Sequence, residues 1–99
     1  MANKPVVVTV RIKSKEGHVD RLAFELKALI EPTRKEEGCI SYDFHQSVND
    51  KTLFISYEIW ASLEAFQLHL ETPYIETLGE ISQDILDGPL EITLMEKLG

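Results

Sequence analysis

The stretch CISYDFHQSVNDKTLFISYEIW, residues 39–60, contains two alternating segments separated by a polar turn. Alternation of apolar and polar side chains is the pattern of a β-strand with two different faces. The more apolar face in the two segments comprises Ile40, Tyr42, Phe44, Leu53, Ile55, Tyr57 and Ile59. Asn49 and Asp50 lie between the segments and tolerate left-handed backbone, so they predict the turn. The stretch therefore predicts an antiparallel hairpin.

A strand and a helix are predicted before this hairpin. The strand has its apolar residues at every second position: Val6, Val8, Val10 and Ile12. The helix carries an apolar stripe with spacings of three and four: Val19, Leu22, Ala23, Leu26, Leu29 and Ile30. Pro32 is expected to kink this helix or restart its last turn because proline cannot donate a backbone hydrogen bond. Gly38 is expected to close it.

Two helices and a strand are predicted after the hairpin. Ser62 is a good N-cap for a short helix, and Thr72 followed by Pro73 predicts the start of another. The sequence 87–89, Asp-Gly-Pro, stops that helix, and a last strand runs through Leu90, Ile92 and Leu94. The order β-α-β-β-α-β predicts a ferredoxin-like α+β fold, with an antiparallel four-stranded sheet and helices on one face. Residues 1–99 are expected to form one domain.

Composition and charge exclude several classes of function. The 99 residues include 17 acidic and 10 basic side chains, giving a net charge of −7, which disfavours binding to a nucleic-acid backbone. No apolar run approaches the length of a membrane span, so no membrane association is expected. The single cysteine and three scattered histidines show no metal-ligand spacing. These features predict an acidic cytoplasmic protein.

The second face of the predicted sheet is mixed rather than polar. We assign to it Val7, Thr9, Arg11, Cys39, Phe54, Glu58, Trp60, Thr93 and Met95. A water-facing sheet surface seldom carries Phe54, Trp60 and Met95 together. We therefore expect a second copy of the chain to cover this face in a homodimer.

Three segments resemble the antibiotic biosynthesis monooxygenase family: KEEGCISYDFHQ (35–46), FISYEIWASLEAFQLHLETPYIETL (54–78) and DGPLEI (87–92). The resemblance covers roughly Val6 to Met95 and implies the dimeric α+β barrel fold. It also implies a monooxygenase that needs no cofactor and oxidises a small electron-rich aromatic, a quinol or phenol, with O₂. The family also contains isomerases, and related barrels serve as non-enzymatic binding modules, so both remain alternative functions.

The candidate catalytic residues are His69, Tyr74 and Glu58, and the candidate substrate-binding residues are Trp60, Phe66 and Tyr42. A histidine at an apolar helix face can take a phenolic proton at neutral pH. The alternative is a core histidine that is hydrogen-bonded to a backbone carbonyl. Trp60 would form a pocket wall, or else a buried interface aromatic. Glu58 or Tyr74 would orient the substrate. Glu58 could also act as a base if desolvated, unless it forms an interface salt bridge. Tyr42 also fits a core role.

Some positions differ from particular branches of the family. Ser56 and Phe66 stand where the antibiotic-tailoring enzymes have Asn and Tyr, so the substrates of those enzymes are not expected here. Gly79 stands where the haem-degrading branch has its axial His, and haem is therefore not expected. No glycine-rich phosphate loop supports a flavin or nucleotide. We expect no cofactor and no metal.

Overall fold

The computed structural model describes residues 4–99, which form four strands and three helices. The strands are β1 (Val6–Lys13), β2 (Cys39–Gln46), β3 (Leu53–Trp60) and β4 (Glu91–Met95). The helices are α1 (Val19–Arg34), α2 (Leu63–Leu70) and α3 (Pro73–Ile85). Among these described residues, no helix is long and apolar enough to cross a membrane.

The strands form one antiparallel sheet in the order β2-β3-β1-β4. The helices cover one face of it, where Leu22, Leu26 and Leu29 of α1 join the buried side chains of the strands. This is the predicted ferredoxin-like α+β fold. It places β1 and β3 in the centre of the sheet, beneath the helices that carry the candidate site.

The predicted orientation of β3 is wrong. The register pairs Val8 with Glu58 and Val10 with Ser56, so the face of β3 beneath the helices carries Phe54, Ser56, Glu58 and Trp60. The opposite set, Ile55, Tyr57 and Ile59, points to the open face of the sheet. Both sets are largely apolar, so alternation alone does not show which one is buried. Pairing with the buried valines of β1 decides the orientation.

The predicted face of β2 is also only partly right. A register shift between Cys39 and Ser41 puts Cys39 beside Trp60 and Tyr42 beside Glu58, all beneath the helices. Ile40 falls within the irregularity and is exposed, contrary to the prediction. A β-bulge of this kind changes the phase of alternation, which a regular two-residue pattern cannot anticipate.

The turns confirm most of the predicted helix boundaries. Ser62 caps α2 by accepting a hydrogen bond from the N–H of Ala65 at 3.1 Å. Thr72 precedes Pro73 at the start of α3, but its hydroxyl donates to the carbonyl of His69 instead of capping. Helix α1 continues through Pro32 and ends at Arg34, before Gly38, which was expected to close it.

The hairpin turn does not use left-handed backbone at Asn49 or Asp50, since no non-glycine residue of the described chain has a positive φ. Side chains hold it instead. The hydroxyl of Ser47 accepts from the N–H of Asp50, and the Asp50 carboxylate accepts from the N–H of Thr52.

The open face of the sheet retains an apolar surface, although four of the residues predicted for it, Cys39, Phe54, Glu58 and Trp60, lie beneath the helices. Phe54 and Trp60 are buried beneath the helices, whereas Met95 lies on the open face as predicted. Ile55 and Tyr57 are partly exposed on the same face. Isoleucine and tyrosine in the middle of a sheet surface still favour a covering partner.

Candidate functional site

His69 reaches the interior from the last turn of α2. The Ser62 cap sets the start of this helix, so Phe66 and His69, three residues apart, share the face that packs on the sheet. The His69 side chain is 3% exposed. Its burial agrees with the predicted position at an apolar helix face.

Aromatic rings surround the His69 imidazole. The ring centroid of Trp60 lies 4.7 Å away at an interplanar angle of 38°, and that of Tyr42 lies 5.4 Å away, edge-on at 66°. Phe66 stacks at 6.2 Å. The structure therefore brings together the histidine and all three candidate substrate-binding residues.

Glu36 joins this site, although the sequence alone did not single it out. Oε2 of Glu36 lies 2.8 Å from Nδ1 of His69, and the hydroxyl of Tyr74 donates a hydrogen bond to the same oxygen. Glu36 follows the end of α1, 33 residues before the histidine. The only indication of Glu36 in the sequence is that it lies shortly before Gly38, in the segment 35–46 that resembles the family.

Glu58 is buried and bonded to neighbours on its own strand. The hydroxyl of Ser56 donates to Oε2 at 2.7 Å, and the indole N–H of Trp60 donates to Oε1 at 2.9 Å. Ser56 in turn accepts from the N–H of Val10 at 3.0 Å. Burial raises the pKa of Glu58, while these two donors and His69 act in the opposite direction. Glu58 therefore lies beneath the helices and not on the open face of the sheet, where the interface salt bridge was expected.

Two phenols near the imidazole keep their protons at neutral pH. Burial, the hydrogen bond to Glu36 and the charge of that carboxylate raise the pKa of Tyr74 to about 12. Burial, followed by the charge of Glu58, raises the pKa of Tyr42 well above its ordinary value. Both side chains can therefore donate hydrogen bonds but are poor bases near pH 7.

A small cavity of about 60 Å³ lies between the sheet and the helices. His69, Glu58, Tyr42 and Phe66 line it, whereas Trp60 and Tyr74 are not part of its wall. Apolar side chains make up the rest of the wall: Val10, Ile12, Leu29, Phe44, Leu70, Ile75, Leu78, Leu90 and Ile92. Leu70, Leu90 and Ile92 are each more than a third exposed, so they mark the rim.

The residues of this site do not resemble a metal centre. Across residues 4–99, no three His, Cys, Asp or Glu side chains converge in a group that could hold a metal ion. The arrangement offers instead one imidazole, one carboxylate and aromatic rings on the wall of an apolar cavity. Such a site can bind a small aromatic molecule and exchange a proton with it.

A family model described as antibiotic biosynthesis monooxygenase matches residues 5–80 of this chain. The chain belongs to the antibiotic biosynthesis monooxygenase family. The match includes Glu36, Glu58, His69 and Tyr74, and it ends within α3, before β4. Membership supports a monooxygenase-like function in general terms.

Individual relatives cover nearly the whole chain. The uncharacterised Synechocystis protein sll1783 is 36% identical over 93 residues; the match covers 94% of this chain but only 63% of that protein. YcnE of Bacillus subtilis, named provisionally as a monooxygenase, is 26% identical over 92% of this chain and 96% of its own. The crystal structure of PA3566 from Pseudomonas aeruginosa superposes with a TM-score of 0.93 at 29% identity, covering 100% of this chain and 99% of that one.

Proposed function

We propose that this protein is a monooxygenase that oxidises a small electron-rich aromatic molecule, a quinol or a phenol, with O₂. One observation carries the proposal: the imidazole of His69 lies on the wall of an apolar, aromatic-lined cavity. An apolar wall suits an aromatic ring, and an imidazole is the side chain best suited to take a phenolic proton near neutral pH.

The reaction begins with proton transfer from the substrate hydroxyl to His69. A phenolate gives up electrons to O₂ more readily than the phenol does, so the substrate itself supplies the electrons. For a quinol, one oxygen atom is bonded to a ring carbon and the other leaves as water, and the product is a hydroxyquinone. Two electrons come from oxidation of the quinol to the quinone and two from the carbon that gains oxygen, so no external reductant is needed.

The other site residues bind and orient the ring. Phe66 and Tyr42 line the cavity and offer ring faces and edges for stacking. The carboxylate of Glu58 lies on the same wall and can accept a hydrogen bond from a second substrate hydroxyl. Trp60 supports the site from behind by stacking on His69 and by donating to Glu58.

The enclosed volume of about 60 Å³ is small beside the roughly 300–1,000 Å³ of typical ligand pockets. The exposed rim formed by Leu70, Leu90 and Ile92 extends the apolar wall outward. We propose that the substrate places its reacting hydroxyl beside His69 and that its remaining atoms contact this rim. This arrangement favours small or flat substrates.

We further propose that the protein is a homodimer through the open face of its sheet. Ile55, Tyr57 and Met95 provide partly exposed apolar area there. Covering these side chains removes apolar surface from water, which is the main driving force for such an association.

An oxygen electrode tests the oxygenase proposal with a panel of quinols and phenols. We expect the wild-type protein to consume O₂ with at least one of them and His69→Ala to lose this activity. His45→Ala is the matched control, because His45 is exposed on β2 and outside the cavity. Conversion of a substrate without O₂ uptake would show an isomerase instead, and saturable binding without any conversion would show a binding module.

A further inference from the structure

We propose that Glu36 is a positioning residue that holds His69 with the proton on Nδ1, so that Nε2 is the nitrogen that takes the substrate proton. The inference deepens the proposed function and rests on it for the role of His69 in catalysis. The position of the proton on the imidazole is a separate property, which can be measured without substrate.

The contact between Glu36 and His69 decides which nitrogen carries the proton. Nδ1 and Oε2 are 2.8 Å apart, which is a normal distance for a charge-assisted hydrogen bond. An ionised carboxylate can only accept, so Nδ1 of the neutral imidazole must donate. The two side chains are 3% and 16% exposed, so little water competes for the bond.

The same contact leaves Nε2 available to a substrate. Nε2 lies across the ring from the Nδ1–Cγ bond, and no residue of the described chain forms a hydrogen bond with it. His69 also lines the cavity. The lone pair on Nε2 is therefore the part of the imidazole that can accept a proton from a molecule in the cavity.

Tyr74 holds the carboxylate in this orientation. Its hydroxyl donates to Oε2 of Glu36, the oxygen that also accepts from His69. With a pKa of about 12, the phenol keeps its proton at neutral pH and remains a donor. Tyr74 lies outside the cavity wall, so its contribution is to position Glu36 and not to contact the substrate.

The backbone around Glu36 is fixed against the elements that carry the site. The N–H of Ala61 donates to the carbonyl of Gly38 at 2.7 Å, and the N–H of Cys39 donates to that of Glu36 at 3.2 Å. A side chain at position 38 would have its Cβ only 2.6 Å from the Cβ of Ala65 in α2. The segment that carries Glu36 thus packs directly against the helix that carries His69.

Long-range ¹H–¹⁵N correlation spectra of the histidine rings test the proposal in protein without substrate. The chain has three histidines, and the signals that disappear in His69→Gln identify His69. On the alkaline side of the imidazole titration, we expect wild-type His69 to show protonated Nδ1 and unprotonated Nε2. Protonated Nε2 in the wild type would overturn the proposal, whether or not any variant folds.

Three variants separate a positioning role from a general structural one. Glu36→Ala should shift His69 to the Nε2–H form that free histidine prefers, whereas Glu36→Gln should keep Nδ1–H because its amide oxygen still accepts. Glu37→Ala, at the exposed neighbouring carboxylate, should leave the spectrum unchanged. An unchanged tautomer in folded Glu36→Ala would also overturn the proposal.

Activity gives a second readout once a substrate is known. Glu36→Ala should lower kcat by up to the roughly 10²–10⁴-fold that a positioned general base contributes, with a smaller loss in Glu36→Gln. If no substrate of any kind is turned over, the proposed function fails, but the tautomer measurement still decides the role of Glu36.

Discussion

The imidazole of His69 contacts the carboxylate of Glu36 on one side and lines the aromatic cavity on the other. The sequence placed this histidine on an inward helix face, but it could not reveal Glu36, because the two residues are 33 positions apart and meet only through the packing of α2. The expected alternative was a core histidine bonded to a backbone carbonyl. The observed partner of Nδ1 is a carboxylate instead.

Replacement of His69 should remove the base without removing the cavity. We expect His69→Ala to lower the rate constant of the chemical step by about 10²–10⁴-fold and His69→Gln to be nearly as slow, since an amide cannot accept the proton at neutral pH. Single-turnover kinetics at saturating substrate measure this step. Normal turnover in His69→Ala together with an inactive Tyr74→Phe would show that Tyr74, and not His69, carries the chemistry.

Glu58 should make the stability of the protein depend on pH. Burial raises its pKa above the ordinary value of 4.5, so the folded protein keeps the proton to higher pH than the unfolded chain. Its contribution to stability is complete below pH 4.5 and is lost as the pH rises through the folded-state pKa. The Gln side chain of Glu58→Gln does not titrate, so the stability of this variant should not show this decrease with pH.

Urea denaturation measures the difference in the free energy of unfolding between the wild type and Glu58→Gln. The series runs from pH 4.5, the ordinary pKa of the carboxyl, to neutral pH. The free energy of unfolding of the wild type should fall relative to that of Glu58→Gln as the pH rises. Glu37→Gln, which changes an exposed carboxylate, should follow the wild type. Parallel curves for the wild type and Glu58→Gln would contradict the raised pKa.

At the scale of elements, the sequence predicted the order of strands and helices but not which side of every strand is buried. Alternation identified β1 because its two faces differ in composition. It failed in β3, where Ile55 and Tyr57 alternate with Phe54 and Trp60 and both faces look apolar. The buried polar pair Ser56 and Glu58 added to the error, because their shared hydrogen bond exists only in the folded sheet.

The close approach of the segment before β2 to α2 predicts a large cost for a side chain at Gly38. Gly38→Ala would force a residue with a Cβ to φ +91 and bring that Cβ to 2.6 Å from Ala65. We expect about 1–2 kcal/mol from the backbone strain and about 1–3 kcal/mol from the overlap. Gly17→Ala has φ +85 and open space around the Cβ, so it should show only the first cost.

Chemical denaturation of the two variants measures these costs. The double variant Gly38→Ala with Ala65→Gly removes the overlap and should recover part of the lost stability. Equal destabilisation in Gly38→Ala and Gly17→Ala would mean that Gly38, just before β2, does not pack closely against Ala65 of α2.

At the scale of the whole molecule, the open face of the sheet predicts a dimer. Light scattering at micromolar concentration should give about twice the 11.3 kDa of one chain. Tyr57→Glu places a charge in the middle of that face and should yield the monomer. Phe24→Glu introduces the same charge at a side chain that is 70% exposed on α1, and should remain dimeric. A wild-type mass near 11.3 kDa would contradict the dimer.

The purified protein should need no flavin, haem or metal for turnover. The sequence has no phosphate-binding loop, and glycine occupies position 79, where haem-degrading relatives have their axial histidine. The visible absorption spectrum and elemental analysis after dialysis against a chelator check this expectation. A retained chromophore, or one equivalent of metal required for activity, would contradict it.

The oxygenase proposal depends on where the new oxygen atom comes from, and isotope-labelled O₂ reports that origin. Metal-free protein is incubated under ¹⁸O₂ with a quinol or phenol that supports O₂ uptake, and the product is analysed by mass spectrometry. We predict one ¹⁸O atom per product molecule with the wild type, and at least a hundredfold less labelled product with His69→Ala in the same time. Product that carries no ¹⁸O, or equal labelling rates in the two proteins, would contradict a His69-dependent monooxygenase.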